Sequence, residues 1–326
     1  LWSALAEGRV VLMTRALQVT TPGGPQVLEV RDVELRAPSP DEVLVRVEAS
    51  GVNFIDVYQR EGIYPQPTPF TLGVEGAGVE LATGRRVAWC MSNGAHAEHA
   101  VVPSQGLVPV PQGVTSEQAA AALLQGMTAH YLINSVYDVK SGDVVLVHAA
   151  AGGVGQWLVQ WCASRGASVI ATAGTEAKVA KALTLGAAHA INYSTTADLA
   201  AAVRAIAPEG VAVVYDGVGA ATFEASLASL RPRGMLALFG AASGAVPPFD
   251  LQRLNASGSL FVTRPTLAHY IADPAELAWR AGEVFAALAS GEVQMEIAGR
   301  YSLDQAGSAY SALEGRTTTG KLIFVP

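Results

Sequence analysis

The chain has 326 residues, half of them hydrophobic and 15% charged, with a formal net charge of −7. That length suits two domains with a large buried core, and the composition is that of a globular rather than a disordered chain. The acidic balance, with no basic run or basic–aromatic stripe, argues against nucleic-acid binding, and no uninterrupted apolar stretch is long enough to span a membrane.

In chain order, Leu1–Leu12 precede Met13 with an apolar region too short for a signal peptide, and read as a leader or expression segment outside the fold. From Arg15 to about Val110 the chain predicts short strands broken by Gly and Pro: Ala16–Val19, Gln26–Val33, Glu42–Ser50, Arg86–Cys90 and Ala95–Val102. Period-two alternation through Glu42–Ala49 marks a half-exposed strand, and the whole segment reads as an all-β unit. His96 and His99 form a His-x-x-His pair, but on a strand that spacing sends the rings to opposite faces, which disfavours a metal site. Ser116 is an N-cap candidate before the Ala-rich helix Gln118–Leu124. Strands then alternate with helices at Val144–Ala149, Val169–Ala173, Ala190–Tyr193, Val211–Asp216, Met235–Phe239 and Ser259–Thr263, the pattern of a doubly wound parallel sheet. A helix over Glu276–Ser290 and a strand over Lys321–Val325 close the chain, in a segment expected to return to the first domain. Cys90 and Cys162 sit in apolar contexts, which fits a reducing cytoplasm and no disulfide framework.

The densest signal is the apolar run Val144–Val147, followed by His148-Ala149-Ala150-Ala151-Gly152-Gly153-Val154-Gly155. Its tail reads Ala-x-Gly-x-x-Gly, a dinucleotide fingerprint with Ala150 at the first glycine position. Gly152 lets backbone amides approach a pyrophosphate, and Gly155 lets helix and strand pack closely. Val154, Trp157, Leu158, Trp161 and Cys162 then recur with helical period along one face, so the helix N-terminus meets the anion. The following strand ends at Ala173-Gly174, where an NAD site usually carries an acid for the ribose 2′-hydroxyl. Glu176 lies two residues further on, in the first turn of the next helix, where it also suits the helix dipole. Thr175 and Lys178 offer a donor and a positive charge to a 2′-phosphate, which favours NADPH.

Longer strings carry a resemblance. Gly51-Val52-Asn53-Phe54-Ile55-Asp56-Val57-Tyr58-Gln59-Arg60-Glu61-Gly62-Ile63-Tyr64, the fingerprint itself, Asn192-Tyr193, Val214-Tyr215-Asp216, Leu230–Gly234 and Gly258–Pro265 are similar to the zeta-crystallin-like quinone oxidoreductases. These form the zinc-free branch of the medium-chain dehydrogenase/reductase superfamily, and the likeness runs from about Met13 to Pro326. It implies an α/β chain with a GroES-like β-rich catalytic domain (13–127 and 267–326) and a Rossmann parallel-sheet domain that binds NADPH (128–266). Where zinc-dependent relatives place their ligands this chain has Asn53, Val74 and Leu124, and neither Val nor Leu can ligate a metal. About ten residues of the usual hairpin are missing around Leu81–Val87, which leaves the local cleft shape open.

The resemblance places Asn53, Asp56, Tyr58 and Tyr64 around the nicotinamide and substrate, as catalytic residues. Cofactor contacts are expected from Ala150, Gly152, Gly153, Val154 and Gly155, and from Gly174, Thr175, Lys178, Tyr193 and Arg316 at the 2′-phosphate. Phe239, Gly240, Thr263 and Arg264 are expected at the nicotinamide. Without a Lewis acid, an already electrophilic acceptor suits the chemistry: a quinone, reduced by hydride or single-electron transfer, or an enone or alkenal. A non-catalytic NADPH-binding or RNA-binding role is the alternative of another class. The apolar segment Gly258–Thr263, read as the edge strand of the parallel sheet, predicts a homodimer.

Overall fold

The computed structural model describes residues 12–315 and 318–326 of the chain. Residues 1–11 of the expected leader, and Arg316, lie outside the described residues. Leu12 does not belong with a leader, because it opens the first strand, β1 (Leu12–Val19). β1 pairs antiparallel with β2 (Leu28–Leu35) along its whole length. Next come β3 (Glu42–Gly51), the short helix α1 (Phe54–Arg60) and β4 (Phe70–Thr71), which flanks β1 on its other side. β5 (Glu75–Glu80), β6 (Arg86–Cys90), β7 (His99–Pro103) and β8 (Val108–Pro109) complete the N-terminal strands.

The expected alternation holds only in the middle of β3, where Arg46 is exposed between buried Val45 and Val47. Ala49, Ser50 and Gly51 are all buried because the strand runs under helix α2 (Ser116–Tyr131). A Cβ on Gly51 would lie 2.5 Å from the Ala120 carbonyl oxygen. The cap of α2 is Thr115 rather than Ser116: Thr115 Oγ1 accepts from Gln118 N at 3.1 Å and Thr115 N donates to Gln118 Oε1 at 2.9 Å, a reciprocal capping box. Ser116 Oγ donates instead to Glu48 Oε2.

The expected strand over Ala95–Val102 begins only at His99. Ala95 N and His96 N donate to Gly73 O and Leu72 O, and the His96 carbonyl accepts from Leu17 N, so this segment is held between two others instead of joining one ladder.

The second unit alternates as expected. β9 (Val144–Val147), α3 (Gly153–Ser164), β10 (Ser168–Ala173), α4 (Glu176–Thr184), β11 (His189–Asn192), α5 (Leu199–Ile206), β12 (Val211–Asp216), α6 (Phe223–Ser229) and β13 (Leu230–Leu238) follow in order. α7 (Gln252–Ala256), β14 (Phe261–Thr263) and α8 (Leu267–Tyr270) end it. Among the described residues these strands form one six-stranded sheet in the order β11-β10-β9-β12-β13-β14, with every pairing parallel. Central strands of such a sheet are covered on both faces, which is why β12 is buried at all six positions. Leu146, Ile170, Val214 and Leu236, one from each central strand, pack with Phe223 and Leu227 of α6.

α9 (Pro274–Ser290), β15 (Ile297–Tyr301), α10 (Ala306–Glu314) and β16 (Lys321–Phe324) close the chain. β16 pairs with β3, so the C-terminal segment completes the sheet β15-β16-β3-β5-β6-β8 of the first unit. The two units comprise residues through Leu124 with Ile271–Gly291 and Met295–Pro326, and Gln125–Tyr270 with Glu292–Gln294. The expected boundaries at 127/128 and 266/267 thus move to 124/125, inside α2, and to 270/271, after α8.

Candidate active site

The fingerprint forms the turn between β9 and α3. His148 N still donates to Tyr215 O across the sheet, then Ala149 takes a positive φ of 50° and turns the chain. Ala150 N donates to Thr172 O at 3.0 Å and Gly152 N to Ala149 O at 2.8 Å, so the turn is anchored to β10 and closed on itself. A Cβ on Gly155 would meet Ala149 O at 2.4 Å and Ala150 Cα at 2.7 Å, both backbone atoms that cannot yield. Gly152 is the N-cap and contributes no side-chain cap; Gly153 and Val154 begin the first turn, which carries no acid. An uncapped helix start free of negative charge fits the pyrophosphate of a dinucleotide.

Beneath this turn lies a buried polar chain that the sequence patterns did not reveal. His148 Nδ1 is 2.8 Å from Thr172 Oγ1, and its Nε2 is 3.0 Å from Ser226 Oγ. Ser226 Oγ donates to Asp216 Oδ2 at 2.8 Å, and Thr222 Oγ1 donates to the same oxygen at 2.7 Å. Ser226 spends its proton on Asp216, so its oxygen accepts from His148 Nε2–H, and Nδ1 accepts from Thr172. Burial holds the imidazole below the ordinary histidine range, against the opposing pull of Asp216. Asp216 Oδ1 accepts from Val218 N and Gly219 N, so one carboxylate fixes the loop after β12 as well. The signal was positional: His148 lies two residues before Ala150 of the fingerprint, and Asp216 ends a strand.

The end of β10 brings together Gly174, Thr175, Lys178 and Tyr193. A Cβ on Gly174 would lie 2.6 Å from Tyr193 Oη, so the ring rests directly on this backbone. Thr175 caps α4 through its side chain, accepting from Lys178 N. Glu176 occupies the first turn, where its Oε1 accepts from Asn192 Nδ2 at 2.5 Å. At the ends of β12 and β13, Phe239 N donates to Asp216 O, and a Cβ on Gly240 would meet Gly217 O at 2.5 Å. Thr263 is the last residue of β14 and pairs with Ala237, whereas Arg264 is exposed.

In the first unit, Asn53 and Asp56 sit at the start of α1. Asn53 is the N-cap, and Asp56 Oδ2 accepts from Asn53 N at 2.8 Å. The same oxygen accepts from Tyr310 Oη at 3.0 Å, and His96 lies between Tyr310 and Ser50, with ring nitrogens 2.9 and 2.8 Å from their hydroxyls. Asp56, His96, Ser50 and Tyr310 are all fully buried. Asp56 Oδ2 therefore fastens α1 to α10, while its Oδ1 is buried with no hydrogen-bond partner among the described residues. Burial and the Asp56 carboxylate push the Tyr310 hydroxyl well above the ordinary tyrosine range. The two histidines have separate partners, since His99 Nδ1 lies 3.5 Å from Thr14 Oγ1.

Asn53 was expected to donate to substrate. Its Nδ2 donates to Gly51 O at 2.9 Å and to Glu75 Oε2 at 3.0 Å, which uses both amide hydrogens inside the fold. Its Oδ1 accepts from Lys321 Nζ at 2.6 Å, and the same ammonium lies 2.8 Å from Glu75 Oε2. Glu75 Oε1 accepts from Leu124 N at 2.7 Å. No periodicity pointed to a buried lysine opening the apolar strand Lys321–Phe324. Tyr64 is 40% exposed and Tyr58 half-buried; their rings meet edge-on at 5.4 Å, and Tyr58 lies 6.5 Å from Phe54. They offer hydroxyl donors and aromatic faces together.

Residues 39–112 match the family described as alcohol dehydrogenase GroES-like domain, and residues 153–273 that described as zinc-binding dehydrogenase. A quinone oxidoreductase of Pseudomonas aeruginosa is 40% identical over 96% of this chain and 100% of its own length. The chain belongs to the quinone oxidoreductase family. Within the same range of similarity, a 2-haloacrylate reductase of a Burkholderia species is 38% identical over 96% of this chain and 99% of its own. The crystal structure of Escherichia coli quinone oxidoreductase complexed with NADPH superposes with a TM-score of 0.93 at 38% identity, covering 96% of this chain and 100% of that one.

The zinc in one family description does not suit these residues. Asn53 is engaged on both sides of its amide, Val74 is buried and apolar, and Leu124 contributes only its backbone N–H. An ammonium already lies against the Glu75 carboxylate. Among the described residues, no three His, Cys, Asp or Glu side chains converge as a metal site. Also among them, no helix is long and apolar enough to cross a membrane.

Proposed function

We propose that this chain is an NADPH-dependent quinone oxidoreductase that works without a metal ion. The observation that carries the cofactor assignment is the end of β10. Ala173-Gly174 stands where an acid would bind a ribose 2′-hydroxyl, with the Tyr193 ring against Gly174 and Thr175 capping the helix that carries Lys178. The NADPH complex of the Escherichia coli relative supports the same reading. Ala150 and Gly152–Gly155 hold the pyrophosphate. Gly174, Thr175, Lys178, Tyr193 and, by family resemblance, Arg316 hold the 2′-phosphate. Phe239, Gly240, Thr263 and Arg264 hold the nicotinamide end.

When bound, the reduced nicotinamide supplies a hydride. Reduction of a quinone places negative charge on an oxygen remote from the attacked carbon, and a positioned donor is enough to stabilise it. With Asn53 engaged internally, Tyr58 and Tyr64 are the residues proposed to stack on the acceptor and donate to that oxygen. Asn53 and Asp56 position them by fixing the start of α1, the helix that carries Tyr58. The 2-haloacrylate reductase relative favours a second reading, reduction of a carbon–carbon double bond conjugated to a carbonyl or carboxylate, which needs the same residues. NADPH oxidation with 1,4-benzoquinone and with a short enal separates the two. NADPH binding with no turnover on either acceptor would instead support a non-catalytic role.

The assembly is proposed to be a homodimer joined through β14. Phe261 is 56% and Val262 38% exposed on a strand that, among the described residues, pairs only with β13. Adjacent exposed apolar side chains at an open edge are a liability that pairing with a second copy removes. The strand is shorter than expected, because Gly258 and Ser259 take positive φ and Leu260 is buried with its N–H on Leu254 O. A cytoplasmic location is proposed on the two buried free thiols, Cys90 and Cys162.

A further inference from the structure

The cofactor domain keeps an acid close to the place where an acid is unwelcome. Glu176 is two residues past Gly174, and a carboxylate near the adenosine ribose would repel a 2′-phosphate and accept from a 2′-hydroxyl. The structure shows how this side chain is held. Its Oε1 accepts from Asn192 Nδ2 at 2.5 Å, across from the end of β11. Asn192 cannot turn its amide over without cost, because its Oδ1 accepts from Ser194 N at 3.0 Å. Ser194 Oγ in turn donates to Gly174 O at 2.9 Å, and Tyr193 Oη would lie 2.6 Å from a Cβ on Gly174. Asn192, Tyr193 and Ser194 thus clasp the Gly174–Glu176 turn from one side, through three successive residues.

We infer that Asn192 is a specificity-determining residue, which sets the preference for a 2′-phosphorylated cofactor by restraining the Glu176 carboxylate. It touches no reacting atom. Its amide holds the acid in one orientation, with the carboxylate tied to the end of β11 instead of free to reach a 2′-phosphate. With the restraint removed, the two-carbon stem of Glu176 is free to swing, repelling a phosphate and accepting from a hydroxyl. The inference rests on the NADPH reading, and it adds that the preference depends on a tether as well as on a missing acid.

The test is fluorescence titration of NADPH and NADH against the full-length protein and three variants: Asn192→Ala, Glu176→Gln and the double variant. Asn192→Ala is expected to narrow the NADPH-over-NADH affinity ratio about ten-fold, equivalent to about 1.4 kcal/mol. Glu176→Gln is expected to keep or widen it. The double variant is expected to return the ratio to the wild-type value or above, because there is no longer a carboxylate to release. An unchanged ratio in Asn192→Ala overturns the inference. So does a double variant as poor as Asn192→Ala, which would mean that only the loop had been damaged. The wild-type ratio tests the NADPH reading by itself, and the difference between Asn192→Ala and the double variant tests the tether.

Discussion

The ammonium of Lys321 lies 2.8 Å from Glu75 Oε2, an ion pair between β16 and β5 with both side chains almost wholly out of water. Asn53 Oδ1 and Nδ2 join it on either side, so the cap of α1 is built on a buried pair of charges. Such a pair tolerates loss of both charges far better than loss of one.

Lys321→Met should therefore destabilise the protein by about 3–5 kcal/mol, the typical cost of leaving a buried charge unpaired. Lys321→Met combined with Glu75→Gln should recover much of that loss. Urea unfolding of the three variants checks it, and a double variant no better than Lys321→Met would contradict the pairing.

At the fingerprint, substitutions should be graded by what an added methyl meets. Gly155→Ala drives a Cβ to 2.4 Å from Ala149 O, whereas Gly152→Ala meets that oxygen at 3.1 Å. We expect Gly155→Ala to cost about 1–3 kcal/mol of stability, as overpacking does, and to weaken NADPH binding. Gly152→Ala should cost less stability. Equal melting temperatures for Gly155→Ala and wild type would show that the turn gives more than the backbone suggests.

Lys178→Glu should weaken NADPH binding by about 1.5–3 kcal/mol, the range for hydrogen bonds to charged groups, and leave NADH nearly unchanged. Parallel titrations with both nucleotides read this directly. An equal loss for the two would indicate general damage to α4.

His148 links stability to pH. Its folded pKa is lowered by burial below the unfolded value of about 6.5, so the unfolded chain binds the proton more readily. The stability it contributes is present above pH of about 6.5 and is lost as pH falls below it. Thermal melts between pH 7.5 and 5 should show a shallower loss for His148→Gln than for wild type. Parallel slopes would remove His148 from the account.

Assembly is checked by light scattering at micromolar concentration. The wild type should be dimeric and Phe261→Lys should shift toward monomer while keeping its fold. Leu260→Lys is the wrong probe, since Leu260 packs in the sheet core and its loss would unfold the domain instead. A monomeric wild type would exclude the β14 pairing.

The sequence by itself determined the features whose cause is local. Val144–Val147 is a strand because a parallel strand covered on both faces needs a continuous apolar run, and Ala-x-Gly-x-x-Gly turns because only small residues let helix and strand meet. The order of strands and helices, the fingerprint and the missing acid after Thr172 were all legible for that reason. The family resemblance placed the Asn53–Tyr64 segment, but left the role of each side chain open. Tertiary structure decided their hydrogen-bond partners. Asn53 carries an amide suited to a substrate, and it is engaged by Lys321 and Glu75, while Asp56 Oδ2 is engaged by Tyr310 and its Oδ1 keeps no partner among the described residues. Glu176 meets Asn192 because the adjacent parallel strands β10 and β11 bring their carboxyl ends together, and His148 meets Ser226 because α6 packs against the sheet. Hydrogen-bond partners are set by distance in space, and neither periodicity nor composition records it.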